Sequence, residues 1–300
     1  MSAHEGFGGS PGGAFAGAGG HALEAQTRPG AGERLRIGII NIMPRAESYE
    51  PYLRRPLAGS AAPIELAWIR LESHVYSSSD REHIGRSYRT FDQTVAEGPL
   101  DGLVLTGAPV EELSYDAITY WPELSAILAF GRQTIRSTLG LCWGGMALAK
   151  QLGIEKRSFP RKVFGVFENR KLVPGGGLLG PGERFWCAQS RHSGIADGVL
   201  EDAREAGALV LLSHAPETGY TVFATPEHSF VMHLGHPEYE PSRLIEEWQR
   251  DARLGRTDVE PPRNFDLGAP VNTWRPHRAA FFSGWVRLLQ REGARRTVEP

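Results

Sequence analysis

Short buried strands that alternate with helical segments are the feature of this 300-residue chain that most restricts its fold. Apolar or alternating runs predict strands at 35–43, 64–72, 100–109 and 137–142. Helical spacing follows in WPELSAILAFGRQ (121–133), and GGMALAKQLG continues the fourth strand as a helix that ends at Gly153. This order is typical of a mostly parallel sheet with helices on both faces. We therefore predict the α/β class.

The second half of the chain is less regular. The run KVFGVFENRKLV (162–173) is predicted to form a strand with its partner, and the runs ALVLLSH and TVFATPEHSFVMHLGH predict strands near the sheet edge. Residues 241–255 form the clearest amphipathic helix, with Pro241 near its start and Gly255 after its end. The run RAAFFSGWVRLLQRE predicts a last helix.

Glycine and alanine dominate residues 1–34, a composition that buries too little surface to offset chain entropy. We therefore expect a disordered leader there, a single α/β domain over 35–290 and a C-terminal tail over 291–300. The net charge of −2 gives no reason to expect nucleic acid or an anionic membrane as a partner, and no apolar run has the length of a membrane span. Two cysteines make no disulfide framework, which favours a cytoplasmic location.

One of these cysteines, Cys142, lies where the fourth strand passes into its helix. A sharp strand-to-helix turn pushes its side chain out at the carboxyl end of the sheet, where open α/β folds bind ligands. The helix N-terminus stabilises a thiolate, and the flanking glycines 140, 144 and 145 allow close approach of a substrate. The alternative is an inert buried cysteine.

A nucleophilic cysteine needs a base, and the base needs a group that orients it. The run VMHLGHPEYEP reads as an apolar strand that ends at His236, followed by a proline and Glu238. Residues two apart in an extended segment point the same way, so Glu238 is predicted to lie beside His236. His233 then faces the other side, as packing or surface. No metal site is predicted, because no carboxylate or cysteine cluster has ligand spacing.

The run LTGAP (105–109) is the third candidate element of a site. The N–H of Gly107 or Ala108, together with the N–H of Trp143, is predicted to form an oxyanion hole. An ordinary glycine turn is the alternative.

The motifs GLCWG and HPE together resemble the class I glutamine amidotransferase fold, which is flavodoxin-like. The ordered set NIMP, DGLVLTGAP, YWPEL, STLGLCWG, GHPEY and WRPH resembles the homoserine O-acyltransferase family, the transacetylases and transsuccinylases built on that fold. The resemblance runs from about Leu35 to about Leu289. It implies that Cys142 is the acyl-accepting nucleophile, His236 the general base and Glu238 its partner.

Three further positions match family binding residues. The resemblance implies that Lys162 and Ser190 contact substrate and that Arg250 binds the carboxylate of the amino acid, a role that suits a guanidinium. Exposed surface side chains are the alternative for all three. Glu111 matches the position that separates acyl donors, where glutamate goes with acetyl-CoA and glycine with succinyl-CoA. A carboxylate there would repel the succinyl carboxylate.

The resemblance therefore implies acetyl transfer from the cosubstrate acetyl-CoA through an acyl-cysteine, with no bound cofactor, in a homodimer. L-Homoserine is the expected acceptor. L-Serine or a specialised hydroxy amino acid stays open as the acceptor, because the segment after NIMP and the residues Ala188 and Gln189 depart from the family pattern. The rival functions are a glutaminase with the same triad, a cysteine peptidase and a non-catalytic binding protein.

Overall fold

A nine-stranded mixed sheet organises the computed structural model, which describes residues 34–60, 62–173 and 177–296. The strands are β1 Leu35–Ile40, β2 Ile64–Ile69, β3 Gly102–Leu105, β4 Ser137–Leu141, β5 Arg157–Lys171, β6 Arg184–Gly194, β7 Val210–Ala215, β8 Gly219–Ala224 and β9 Phe230–His233. The helices are α1 Ala46–Ala58, α2 Arg81–Ser87, α3 Phe91–Ala96, α4 Trp121–Thr134, α5 Trp143–Gln151, α6 Asp197–Glu205, α7 Pro241–Arg253 and α8 Arg275–Arg296.

The strand order is β2-β1-β3-β4-β9-β8-β7-β5-β6. The first five strands of this order are mutually parallel, and the remaining pairs are antiparallel. Two hydrophobic clusters cover the two sheet faces. Buried side chains of α1, α7 and α8 belong to one, and those of α3, α4, α5 and α6 belong to the other. The prediction of an α/β fold with helices on both faces is confirmed.

The run TVFATPEHSFVMHLGH lies in the middle of the sheet, so its predicted place near the edge is wrong. It contains the end of β8 and all of β9, and β9 pairs with β4 on one side and β8 on the other. All four residues of β9 are buried, as a central strand requires. An apolar run shows that a strand is buried but does not reveal which strands flank it.

Helix α1 was not predicted, because it contains Pro51 and Pro56, which usually break helices. Tyr49, Leu53 and Leu57, spaced four apart, bury one face of this helix in the core. Tertiary packing therefore outweighs the local preference.

Helix α8 runs past residue 290, where the sequence analysis ended the domain, to Arg296. The leader prediction lies outside the described residues, except for Arg34. Within the described residues, every helix is too short or too polar to cross a membrane.

Candidate active site

Cys142 occupies a strained turn between β4 and α5. Its φ of 51° and ψ of −115° lie in a region that residues other than glycine rarely adopt. The turn is tight, because a Cβ on Gly140 would collide with the carbonyl oxygen of Gly144. Cys142 is 4% exposed and lines a cavity of about 70 Å³. The cysteine therefore lies at the carboxyl end of a parallel strand, on the sharp turn that the sequence indicated.

His236 lines the same cavity, and its Nδ1 lies 2.8 Å from Oε1 of Glu238. Strand β9 ends at His233, so the expected extended strand to His236 is wrong; Pro237 and Glu238 form a turn instead. The turn still brings the carboxylate to the ring. The N–H of His236 donates to the carbonyl oxygen of Ala188 at 2.8 Å, which anchors this loop to β6.

Gly107 lies close to both Cys142 and the imidazole of His236. A Cβ built on Gly107 would lie 3.5 Å from Cβ of Cys142 and 3.7 Å from Cε1 of His236. Burial lowers the pKa of His236, but the charges of Cys142 and Glu238 and hydrogen bonds to both outweigh it, so this pKa lies well above its usual value. The imidazole is therefore held ready to carry a proton next to the cysteine.

The backbone groups predicted to form the oxyanion hole are brought together. Gly107 and Ala108 follow β3 and line the cavity with Cys142. Trp143 is the first residue of α5, where a helical N–H has no intrahelical acceptor. Parallel pairing of β3 with β4 brings the ends of the two strands to the same edge.

The three predicted substrate-binding residues line this cavity too, and two are buried. Lys162 donates to Oδ2 of Asp251 at 2.7 Å, and Ser190 donates to Oε2 of Glu247. The alternative of an exposed surface position is therefore wrong for Lys162 and Ser190. Arg250, which also lines the cavity, is 44% exposed and donates to Oδ1 of Asp251 at 2.8 Å.

A buried ionic network behind these residues was missed by the sequence analysis. Nη2 of Arg243 lies 3.4 Å from Glu247, and Lys162 lies 3.8 Å from it. Burial raises the pKa of Glu247, but the charges of Lys162, Arg243 and His236 overcome it and lower this pKa to about 2. Helical spacing from Arg250 would have found the network, since positions three, four and seven apart share a helix face.

Two tyrosines that contact His236 or Glu238 were also missed. Tyr49 of α1 donates to Oε1 of Glu238, the oxygen that also contacts His236. The Tyr239 ring stacks on the imidazole at 3.9 Å between centroids, and its hydroxyl donates to Glu247 at 2.9 Å. Tyr239 directly follows HPE and was available as a signal, whereas the role of Tyr49 depends on the unpredicted helix α1.

Glu111 also lines the cavity, and one of its two carboxylate oxygens has a partner. Its Oε1 lies 3.1 Å from Nδ1 of His192, and its carbonyl oxygen accepts hydrogen bonds from Ser193 and Lys156. Within the described residues its buried Oε2 has no hydrogen-bond partner. The loop is therefore fixed while one carboxylate oxygen stays available.

Cys187, His233 and His277 form a buried cluster beneath the His236 loop, with ligating atoms within 4.8 Å of one another. The sequence spacing of its members did not indicate this cluster, because they come from three segments far apart in the chain. Nδ1 of His233 accepts from the N–H of Gly235 at 3.1 Å, and its Nε2 lies 3.0 Å from Nε2 of His277. These contacts describe a hydrogen-bonded imidazole pair that supports the loop carrying His236.

The buried pair of His233 and His277 predicts that the free energy of unfolding falls at acidic pH. Burial and the charge of His236 lower the pKa of His233 to about 3, and burial and the charge of His233 lower that of His277 well below its usual value. Below pH 6.5 the unfolded chain therefore binds more protons than the native chain. The free energy of unfolding should fall as the pH drops from 6.5 to 4.5, by about 1.4 kcal/mol per pH unit for each imidazole once its unfolded form is fully protonated.

Urea unfolding at pH 7, 6 and 5 measures this slope. The variant His277→Gln should show a shallower slope than the parent chain, whatever its absolute stability. Equal slopes would contradict the assignment of His277 as a buried neutral group.

Solved structures with a similar fold include glutamine amidotransferases. One from Thermotoga maritima has a TM-score of 0.55 at 13% identity and covers 86% of this chain and 98% of its own. Another, from Methylobacillus flagellatus, has a TM-score of 0.50 at 16% identity, with coverage of 87% and 94%. At these identities the likeness shows the fold alone. It confirms the predicted class I glutamine amidotransferase-like architecture.

Sequence comparison is more specific. The family model described as homoserine O-succinyltransferase matches residues 22–294. The homoserine O-acetyltransferase of Clostridium novyi is 35% identical over 88% of this chain and 87% of its own length. Those of Brevibacillus brevis and Bacillus subtilis are 34% and 32% identical, each over 84% of this chain and over 83% and 84% of their own lengths. The fold, the motifs and these matches identify the chain as a member of the homoserine O-succinyltransferase family of homoserine O-acyltransferases.

Proposed function

We propose that this chain transfers an acetyl group from acetyl-CoA to the side-chain hydroxyl of L-homoserine through an acyl-cysteine. The observation that carries the proposal is that Cys142 and His236 line one cavity, with the Glu238 carboxylate behind the imidazole at 2.8 Å and a strained backbone at the cysteine. The acetyltransferase names of the relatives support the donor and the acceptor. The cytoplasm and a homodimer stay predictions.

In the first half-reaction the Cys142 thiolate attacks the thioester carbonyl carbon of acetyl-CoA. The N–H groups of Trp143 and of Gly107 or Ala108 stabilise the oxyanion as it develops. The bond between the carbonyl carbon and the CoA sulfur then breaks, and the His236 imidazolium gives its proton to the departing CoA thiolate. Acetyl-Cys142 and a neutral imidazole remain.

The second half-reaction uses the charge change at Cys142. Acylation removes a thiolate whose charge raises the pKa of His236, so this pKa falls and the neutral ring becomes a suitable base. The ring takes the acceptor hydroxyl proton, the oxygen attacks the acetyl carbon, and the Cys142 thiolate leaves. The proton stays on His236, which restores the starting ion pair. Arg250 binds the acceptor carboxylate, and Lys162 and Ser190 face the same substrate.

The donor preference depends on Glu111. A carboxylate held at the cavity wall repels the distal carboxylate of succinyl-CoA, whereas an acetyl group carries no charge to repel. We expect Glu111→Gly to raise the ratio of kcat/KM for succinyl-CoA to that for acetyl-CoA by roughly 10- to 100-fold, because removal of close like-charge repulsion changes binding by a few kcal/mol. Initial rates with both donors measure this ratio.

Two matched variants isolate the cause. Glu111→Gln keeps the shape and removes the charge, so it should reproduce much of the change. Glu112→Gly alters the neighbouring residue, whose side chain is 52% exposed and pairs with Arg256, so it should leave the ratio unchanged. An equal ratio in the parent chain and Glu111→Gly would refute the donor argument.

The main alternative is a glutaminase that uses the same Cys142, His236 and Glu238. A free-thiol assay of CoA release decides between the two. It crosses acetyl-CoA and succinyl-CoA with L-homoserine and L-serine, beside a parallel assay of ammonia release from glutamine. The proposal expects the highest rate for acetyl-CoA with L-homoserine. Ammonia release without acyl transfer would overturn it, and faster transfer to L-serine would correct the acceptor.

A further inference from the structure

A wide groove opens directly outside the inner cavity. Its volume is about 730 Å³, and it shares lining residues with the inner cavity, among them Pro44, Glu111 and Arg250. We call it the arginine groove, because its lining includes Arg45, Arg243, Arg250, Arg253 and Arg256. Ligand sites for molecules of moderate size usually measure ~300–1,000 Å³. The groove therefore has room for a ligand that the inner cavity lacks.

The size of the inner cavity requires such a groove. At about 70 Å³, the inner cavity accommodates only the small reacting groups near Cys142. Acetyl-CoA carries a long pantetheine arm and a nucleotide with a diphosphate and a 3′-phosphate. Once its thioester reaches Cys142, the nucleotide must lie outside, and the adjoining groove provides a continuous path.

Charge is unevenly distributed along the groove. Arg243 pairs with Glu246 and Glu247, and Arg256 pairs with Glu112 and Asp258, so these guanidiniums are neutralised. Near Cys142 the lining includes the carboxylates of Glu111 and Glu247. The groove is thus acidic or neutralised at its inner end.

Two of these arginines differ from the others. Among the described residues, the Arg253 side chain donates only to the carbonyl oxygen of Gln249, one turn back, at 3.1 Å. In the described part of the chain, the Arg45 guanidinium has no hydrogen bond or ion pair. Arg45 has a left-handed φ of 53°, and its N–H donates to Oγ of Ser78 at 3.2 Å, so its backbone is held at the start of α1. Both side chains are exposed.

An exposed apolar side chain lies beside these charges. Leu254 lines the groove and is 70% exposed, so its apolar side chain is open to a ligand in the groove. Two guanidiniums without acidic partners and an apolar side chain together match the chemistry of a phosphorylated nucleoside. Guanidiniums bind phosphate oxygens through paired hydrogen bonds, and an apolar contact suits the flat face of a purine.

We propose that the arginine groove binds the 3′-phospho-ADP portion of the acyl-CoA donor, with Arg45 and Arg253 on its phosphates and Leu254 against its adenine. The inference rests on the proposed function for the identity of the donor. It adds the site that holds the part of the donor furthest from the chemistry. Arg250 stays with the acceptor carboxylate.

The kinetic test compares two donors, acetyl-CoA and S-acetylpantetheine, which differ only in the nucleotide. Both donors are assayed with the parent chain, with Arg45→Gln, with Arg253→Gln and with the double variant. Each single variant should raise KM for acetyl-CoA about tenfold and the double variant more, because a charged hydrogen bond to phosphate is lost. The kcat and all values for S-acetylpantetheine should not change. Arg55→Gln, an exposed arginine in the last turn of α1 and outside the groove, is the matched control.

A binding test separates this inference from the proposed function. Calorimetry with adenosine 3′,5′-bisphosphate should detect binding to the parent chain and to Arg55→Gln, and at least tenfold weaker binding to the double variant. Inorganic phosphate as a second probe should bind far more weakly than the nucleotide. Binding that depends on the two arginines, in a chain that transfers no acyl group, would support the groove and refute the function.

Two results would overturn the groove. The first is acyl transfer with an unchanged KM for acetyl-CoA in the double variant. The second is an equal loss for both donors, which would mean a general disturbance of the site. Thermal unfolding of each variant is measured alongside, and the single variants replace the double variant if it unfolds.

Discussion

Replacement of Cys142 by alanine is expected to lower kcat by roughly 10⁴-fold or more, because the covalent route then has no acyl carrier. Cys142→Ser keeps a nucleophilic atom of similar position but with a far weaker acidity, so it should also lose nearly all turnover. The measurement is CoA release at saturating concentrations of acetyl-CoA and L-homoserine. Alanine replaces a side chain that lines a cavity, so the fold should persist.

The covalent intermediate itself is observable. Incubation of the parent chain with acetyl-CoA, without acceptor, should add the mass of one acetyl group to the peptide that contains Cys142. Initial-rate lines at several acceptor concentrations should be parallel, as ping-pong kinetics require. Intersecting lines together with an unmodified Cys142 peptide would contradict the acyl-cysteine.

Cys187 offers a matched control for the nucleophile. It is fully buried, and burial and the charge of Glu238 raise the pKa of its thiol well above the usual value. Cys187→Ala should therefore retain most turnover and should still form the acetyl adduct. Loss of the adduct in a folded Cys187→Ala chain would mean that Cys187, and not Cys142, carries the acyl group.

The second large effect is expected at Glu238, where an amide should lower kcat/KM by roughly 10²- to 10⁴-fold. Oε1 of Glu238 accepts from the Tyr49 hydroxyl and contacts Nδ1 of His236. Glu238→Gln removes the charge that stabilises the imidazolium and offers an N–H where both neighbours need an acceptor. The initial rate with both substrates measures the loss.

The pH profile distinguishes this role from a merely structural one. Without the Glu238 charge the pKa of His236 falls, since that charge is one of the two that raise it. The imidazolium is then lost at lower pH. The alkaline limb of the kcat/KM profile should therefore move to lower pH in Glu238→Gln.

Tyr49→Phe supplies the control for this shift. It keeps the Glu238 carboxylate and removes one hydrogen bond to it, so the loss should be at most about tenfold. The alkaline limb should stay close to that of the parent chain. If the alkaline limb of the kcat/KM profile does not shift in Glu238→Gln, Glu238 does not act on His236 as the mechanism requires.

The sequence was most informative where a local pattern has one structural solution. The buried runs before Gly107 and Cys142 predicted strands of a mostly parallel sheet, which the structure pairs as β3 and β4. The sharp turn predicted at Cys142 appears in its positive φ. The pairing of His236 with Glu238 was also predicted, although the argument assumed a strand and the structure has a turn. The contact survives because both conformations leave residues two apart within reach.

Other parts of the site depend on contacts that no local pattern encodes. Tyr49 reaches Glu238 from a helix whose two prolines argue against a helix, and His277 reaches His233 from α8. The burial of Lys162 depends on carboxylates of α7, which packs against it only in the folded chain. Such contacts follow from packing, so residue type alone predicts an exposed lysine.

The central position of β9 has a consequence for the order in which this protein folds. Thr138 on β4 pairs with Phe230 on β9, so the sheet is complete only after a long intervening segment has folded and closed. Such non-local pairing is slow to form. During synthesis, Cys142 leaves the ribosome well before the strand that delivers His236. The nascent chain therefore carries an unactivated thiol until most of its length has been translated, and reactivity arises as a late event of folding.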